Sequence, residues 1–334
     1  MARLVDIANA AGVSVGLVSR VLNDKPSARA TPQTRQRILA AAAKLDYRPN
    51  YAARALRLSR AHTIGVAVPD VTNPLFVPLI TSIEREAGKR GFAVLLSRTE
   101  SVRGHEHVTQ LLDEGRVDGL LLQGRDDATN KALAGLVGSS PIVLMNSVIA
   151  SRPGSVMFDD AAAARLATQT LLDRGHQRIA LINGVRTSVT ARRRAQGFRA
   201  ALADAGLAGL RAPVSWRGYR VDDAEAGLGD VLARGRGLTG VVVSNINAAF
   251  GVLTAARHRG VSVPGDLSVI ALHDAWTADH SWPPLTTIRT PLDELGARAA
   301  RDLLAELLDG QQPVDTIIDR PPELVERESV GPPG

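Results

Sequence analysis

Residues 4–23 read LVDIANAAGVSVGLVSRVLN. Leu4, Ile7, Ala8 and Ala11 recur at helical spacing, Gly12 interrupts the pattern, and Ser14 can cap a second helix whose inner face is Val18, Val21 and Leu22. The stretch predicts helix, short glycine turn, helix. Thr31 as N-cap and Pro32 at the first helical position announce a third helix, with Ile38, Leu39, Ala42 and Leu45 on its buried face. Three short helices in this order form a helix-turn-helix, whose second helix lies in the major groove of DNA. Its outward residues Ser14, Val15, Gly16, Ser19 and Arg20, with Asn23 just beyond, then face the bases and backbone, and Arg20 suits a bidentate contact to guanine.

Charge points to the same partner. Residues 1–60 hold eleven Lys or Arg against Asp6, Asp24 and Asp46, a net of +8, so residues 61–334 carry −2 of the chain's +6. A basic module on a near-neutral body is the footprint of polyanion binding, because each phosphate contact releases condensed counterions; on charge alone, a solvated basic surface is the alternative. After Pro49 and Asn50, the segment YAARALRLSR is too poor in apolar residues for a core and too short for a stable isolated helix. It reads as a linker that orders on binding. Leu56, among Arg54, Arg57 and Arg60 and three residues after Ala53, is an apolar wedge flanked by arginines, which is what a minor-groove kink requires.

The 334 residues, 45% of them hydrophobic, suffice for two or three domains with sizeable cores. Without cysteine there is no disulfide scaffold, thiolate zinc site or cysteine nucleophile. Asp6 and Asn9 interrupt any secretory signal at the amino terminus, and no window offers the ~18 apolar residues of a membrane span, so a cytoplasmic protein without membrane attachment is expected. From Thr63 the chain alternates apolar strands (64–68, 93–97, 119–122, 142–145, 179–182, 241–244, 267–272) with helical stretches near 75–90, 105–115, 160–174, 191–205, 223–234, 247–259 and 291–309. Such alternation means parallel sheets wound on both sides. The expected architecture is a small all-α helix-turn-helix headpiece (1–48), a linker (49–61) and an α/β core (62–334) of two doubly wound parallel-sheet subdomains. Ligands bind beyond the carboxyl ends of such strands, in the cleft between the two units.

Three motifs fail on context. Gly12-Val13-Ser14-Val15-Gly16 fits G-x-S-x-G but bridges two helices instead of joining strand to helix. Gly235-Arg236-Gly237-Leu238-Thr239-Gly240 fits G-x-G-x-x-G but follows a helix and precedes a strand, the reverse of a dinucleotide site. His105, Glu106 and His107 alternate near a helix start and point to different faces, so no metal site is expected.

AGVSVGLVSRVLN, TPQTRQRILAAAAKLDYRPN and ARAL together closely resemble the headpiece and hinge of the lactose-repressor (LacI/GalR-type) family of bacterial transcription regulators. VPDVTNPLF, LLDRGHQRIALING, ARRRAQGF, SNINAAFG, VPGDLSVIALHD, PPLTTIRTP and LVERESV extend the resemblance, in family order, to Ser329. It implies a periplasmic-binding-protein-like core divided into an N-subdomain (about 62–159 and 290–320) and a C-subdomain (about 160–289 and 321–334). It also implies a homodimer on a near-palindromic operator and a small effector in the cleft, commonly a sugar, sugar phosphate or nucleobase. By resemblance, Val15, Gly16 and Arg20 read operator bases and Leu56 enters the minor groove; Val15 and Gly16, lacking hydrogen-bonding side chains, suit a thymine methyl or indirect readout. Arg194 and Asn245 match effector residues, and Asn73, Phe76, Gln123 and Phe158 sit at strand ends where the family lines its pocket.

The chain departs from the family pattern at His273-Asp274, where two aspartates are usual, at Ile246 after Asn245, and at Asn146, where an acid is common. Fewer carboxylates favour a phosphorylated or acidic effector. His273 can also be a satisfied core histidine. Trp216, Tyr219 and Trp276 are stacking walls for a sugar or base, and the segment 211–225 leaves open whether Trp216 or Tyr219 faces the ligand. Neither a catalytic constellation nor a cofactor site is expected, which disfavours an enzyme; an exported solute-binding protein would lack the basic headpiece. No heptad tail of the tetramer-forming kind follows the core, so a dimer is expected.

Overall fold

The computed structural model describes residues 2–22, 29–47, 60–99, 110–124, 140–149, 153–209 and 212–334, with single residues 108, 126, 128 and 132. The chain divides into two compact units, Met1–Arg60 and Ala61–Gly334.

In the first unit, α1 (Leu4–Ala11) ends at Gly12, whose φ of +64° provides the left-handed C-cap, and α2 (Val15–Leu22) follows at once. Thr31 Oγ1 accepts the Thr34 amide at 3.2 Å, and Pro32 opens α3 (Pro32–Lys44). Ile7, Ala8, Ala11, Val18, Val21, Ile38 and Ala42 form the core. Leu39 and Leu45, expected on the buried face, are exposed. The inward stripe of α3 runs through Ile38 and Ala42, one turn apart; Leu39 is rotated about 100° from Ile38, and Leu45 lies beyond the last helical residue.

The second unit holds two six-stranded sheets. In one are β1 (Thr63–Val68), β2 (Ala93–Arg98), β3 (Gly119–Leu122), β4 (Ile142–Met145), β5 (Ser155–Met157) and β11 (Thr316–Ile317), in the order β11-β5-β4-β3-β1-β2, all parallel. The other contains β6 (Ile179–Ile182), β7 (Val214–Ser215), β8 (Gly240–Val243), β9 (Ser268–Leu272), β10 (Thr286–Arg289) and β12 (Glu323–Val325), in the order β12-β10-β9-β8-β6-β7. There β12 runs antiparallel to β10, a departure from the wholly parallel expectation at an edge where no crossover helix constrains direction. The central strands β3, β4, β6, β8 and β9 are buried along their whole length, as sheets covered on both faces require. Strands β5, β7, β10, β11 and β12 are absent from the sequence reading; β5, β7, β11 and β12, at two or three residues, are too short to show a period, and β10, TTIR, lacks the apolar run that marks the other four-residue strands.

Helices α4 (Val77–Lys89), α5 (Asp160–Asp173), α6 (Val189–Asp204), α7 (Val221–Arg234), α8 (Ile246–His258) and α9 (Leu292–Asp309) cover the sheets. The chain passes between the sheets three times: from β5 into α5, from β10 into α9, and from β11 to β12. Helix α9 returns to pack on α4 and on β3, β4 and β5 of the first sheet. Helices α5 and α6 approach very closely, since a Cβ at Gly197 would lie 1.9 Å from the Ala161 carbonyl oxygen. Among the described residues no single helix is long and apolar enough to cross a membrane.

Candidate functional site

A cavity of about 240 Å³ lies beyond the carboxyl ends of the strands of both sheets. Asn73, Phe76, Gln123 and Asn146 reach it from loops after strands of the first sheet; Arg194 from α6, Tyr219 after β7, Asn245 after β8 and His273 after β9 reach it from the second. Asn146 (φ +48°) and His273 (φ +66°) both adopt the left-handed conformation at the ends of their strands. Non-glycine residues are rarely held there, and such strain concentrates at ligand sites.

Arg194 organises the floor. Its Nε donates to Asp160 Oδ1 at 2.7 Å, its Nη2 lies 2.7 Å from the same oxygen, and its Nη1 donates to the Ser244 carbonyl at 2.9 Å. Nη2 also lies 3.0 Å from His273 Nε2. A guanidinium only donates, so Nε2 must accept, and the ring proton sits on Nδ1, which donates to Thr290 Oγ1 at 2.7 Å. Burial first, and then the neighbouring Arg194 charge, hold His273 well below the usual histidine range, so its ring is neutral. Burial likewise pushes the Asp160 carboxyl up, with Arg194 pulling in the opposite direction. Gly197 makes the arrangement possible: by letting α6 close onto the first turn of α5, it brings Arg194, one turn earlier, to Asp160.

Tyr219 forms one wall. Its ring covers Gly184, where a Cβ would approach to 1.9 Å, and its hydroxyl donates to Ser188 Oγ at 2.9 Å. Asn245 fixes this loop by giving its Nδ2 to the Tyr219 carbonyl at 3.1 Å, while its Oδ1 caps α8 through the Ala248 amide at 2.8 Å. Asn146 Oδ1 is buried and has no hydrogen-bond partner among the described residues, an acceptor that a ligand hydroxyl can satisfy.

Seven of the residues expected at the effector site thus come together: Asn73, Phe76, Gln123, Asn146, Arg194, Asn245 and His273. Four do not line the cavity. Phe158 is buried behind His273, its ring edge-on at 5.8 Å. Asp274 turns away to accept from Thr287 Oγ1 at 2.7 Å and Arg289 Nη2 at 2.9 Å; burial raises its pKa, but these bonds and Arg327 outweigh that and hold it low. Trp216 packs against the core beneath α5 and α6, with the Arg186 guanidinium 5.0 Å from its ring. Trp276 sits in a 3₁₀ turn, 64% exposed. Tyr219 therefore takes the place left open between it and Trp216. Sequence reasoning missed Asp70, Thr190, Arg217, Arg220 and Asp223 in the lining, and Asp160 behind it. Asp160 had a signal: Asp159 already caps α5 by accepting the Ala161 and Ala162 amides, which leaves a second acid without a capping task.

On the headpiece, Val15, Gly16 and Arg20 lie on the exposed face of α2 opposite buried Val18 and Val21, with Ser19 partly buried; Ser14 Oγ accepts the Leu17 amide at 3.3 Å. Asn23, Ala53 and Leu56, like His105, Glu106 and His107, lie outside the described residues.

Two family models match the chain: bacterial regulatory proteins of the lacI family over residues 3–50, and a periplasmic binding protein-like domain over residues 168–330. The transcriptional regulator GalS of Salmonella typhimurium is 34% identical across 99% of this chain and 97% of its own length. The chain belongs to the LacI family. Among solved LacI-family structures, the lac repressor dimer bound to operator and the anti-inducer ONPF superposes with a TM-score of 0.82, at 27% identity over 99% of each chain. A CelR–cellobiose complex does so at 0.72 and 28% identity, over 98% of this chain and all of that one. As in its LacI-family relatives, which regulate transcription and are not enzymes, the chain joins a DNA-binding headpiece to a ligand-binding core.

Proposed function

We propose that this LacI-family regulator is a cytoplasmic repressor that binds a near-palindromic operator as a homodimer and is controlled by a small carbohydrate-derived effector held between its two sheets. The cavity carries this reading. It joins an aromatic wall, a buried guanidinium and the partnerless Asn146 acceptor at the carboxyl ends of two doubly wound sheets. The relatives solved with operator and with cellobiose lend it support. For the homodimer, Trp276 and Trp282, 64% and 90% exposed, and Leu96 on edge strand β2 are large apolar groups suited to cover by a second copy. Two-fold symmetry in the protein demands it in the operator, and each headpiece then takes one half-site. Asn73, Phe76, Gln123, Asn146, Arg194, Tyr219 and Asn245 contact the effector, while Val15, Gly16, Ser19 and Arg20 meet the DNA. An effector that favours one relative orientation of the subdomains changes operator affinity by the factor by which operator changes effector affinity.

The test is thermal unfolding of the full chain against a panel of sugars, sugar acids, sugar phosphates and nucleobases. A ligand at 100 times its dissociation constant stabilises by about 2.7 kcal/mol, several degrees in midpoint. A selective shift by one carbohydrate, lost in Asn146→Ala, is the expected result; no shift from any sugar or sugar derivative would sink the effector reading.

A further inference from the structure

Among the described residues, the lining carries three guanidinium groups, and that of Arg194, on the floor, is already answered. Nε and Nη2 face Asp160 Oδ1, the other Nη2 proton goes to His273, and Nη1 serves the Ser244 carbonyl. Of five N–H groups, one Nη1 proton is left for a ligand. A single donor cannot form the two-bond fork by which arginine grips carboxylate or phosphate. The rest of the lining gives an anion no better hold. Arg217 is engaged by Asp230 in two bonds of 2.7 and 2.8 Å. Arg220 shares the wall with the carboxylates of Asp70 and Asp223. Behind the lining, Asp160 and Asp230 add two carboxylates to its own Asp70 and Asp223.

Asp160 is 1% exposed and does not line the cavity. We infer that Asp160 is a specificity-determining residue acting through Arg194: by neutralising the guanidinium from behind, it makes the cavity select uncharged, hydroxyl-bearing ligands and reject their carboxylate and phosphate counterparts. His273 assists as a neutral acceptor that occupies one more donor. The inference rests on the effector reading above and names the charge class of its ligand. It also reverses the expectation of an acidic effector. The carboxylate missing after β9 is supplied from the first turn of α5, a different element.

Inorganic phosphate is the probe, with chloride at matched ionic strength as control, and unfolding of the full chain is the readout. In wild type, phosphate shifts the midpoint, relative to chloride, no further than it does in Arg194→Gln, so any shift from the basic headpiece or from salt exclusion cancels. Asp160→Asn retains an oxygen for the Nε proton but removes the charge, so phosphate binds at least about tenfold more tightly than in wild type, and a second change, Arg194→Gln, abolishes that gain. Asp160→Ser reports the same gain if the amide perturbs folding. A merely structural role for Asp160 would lower the midpoint without creating an anion response. A folded Asp160→Asn or Asp160→Ser protein indifferent to phosphate overturns the inference, as does a wild-type phosphate response that Arg194→Gln removes. Failure here leaves the sugar panel untouched, and a blank panel leaves the phosphate comparison intact.

Discussion

At the scale of single residues, the molecule separates groups that touch a ligand from groups that prepare those that do. In the proposed reading, Arg20 belongs to the first kind. Arg20→Ala should weaken binding to an operator selected from random sequence by about 1–3 kcal/mol and relax specificity at one base pair per half-site, measured by fluorescence anisotropy. Equal affinity for all bases at that position in wild type would remove Arg20 from the reading face. His273 belongs to the second kind, and its neutrality has a consequence in pH. The unfolded ring takes a proton near pH 6.5, while the folded ring takes one only well below it, so between those values the unfolded state binds more protons. The contribution of His273 is therefore complete above about pH 6.5 and is lost as pH drops toward the folded value; His176, also held low by burial, acts in the same direction, and Asp160, held high by burial, in the opposite one. Unfolding midpoints from pH 8 to 5 should decline below about 6.5, and His273→Gln, which keeps an acceptor for Arg194 without a titrating ring, should flatten part of that decline.

At the scale of elements, the contact between α5 and α6 matters most, because it aligns Asp160 with Arg194. Gly197→Ala puts a methyl within 1.9 Å of a backbone carbonyl, so the helices must separate. Denaturant unfolding should show a loss of about 1–3 kcal/mol, the usual penalty for overpacking, accompanied by weaker effector binding. A variant with unchanged stability would mean that the helices slide at no cost. In the headpiece, Thr31→Ala removes the N-cap of α3 and should cost about 1 kcal/mol of headpiece stability, read by hydrogen exchange in residues 32–44. These elements differed in legibility. Periodicity and caps announced α1 to α3, whereas β7, β11 and β12, at two or three residues, carried no period and exist only because a neighbouring strand offers hydrogen-bonding groups.

For the whole molecule, the proposed dimer is the feature most open to a direct test. Trp282 is almost wholly exposed, and Trp282→Glu sets a charge in an apolar surface. Sedimentation should show self-association weakened about tenfold or more, with operator affinity reduced in parallel because two half-sites are no longer bound together. Retained dimerisation would assign the second copy to another face.

The sequence by itself determined the helix-turn-helix and the alternation that winds both sheets, because these depend on local signals: caps, helical spacing and apolar runs; its resemblance to the family placed seven residues of the cavity lining. It did not determine what lies behind the lining. Asp160 and Arg194 are 34 residues apart, and only the close approach of α5 and α6 at Gly197 makes them a pair. Asp274 reads as a pocket carboxylate until the pairing of β9 with β10 sets Thr287 and Arg289 beside it. Trp216 and Tyr219, three residues apart, were equivalent in sequence. Their separation into core and cavity wall was decided by tertiary structure, since which way a loop side chain points depends on the surfaces that the rest of the fold brings to it.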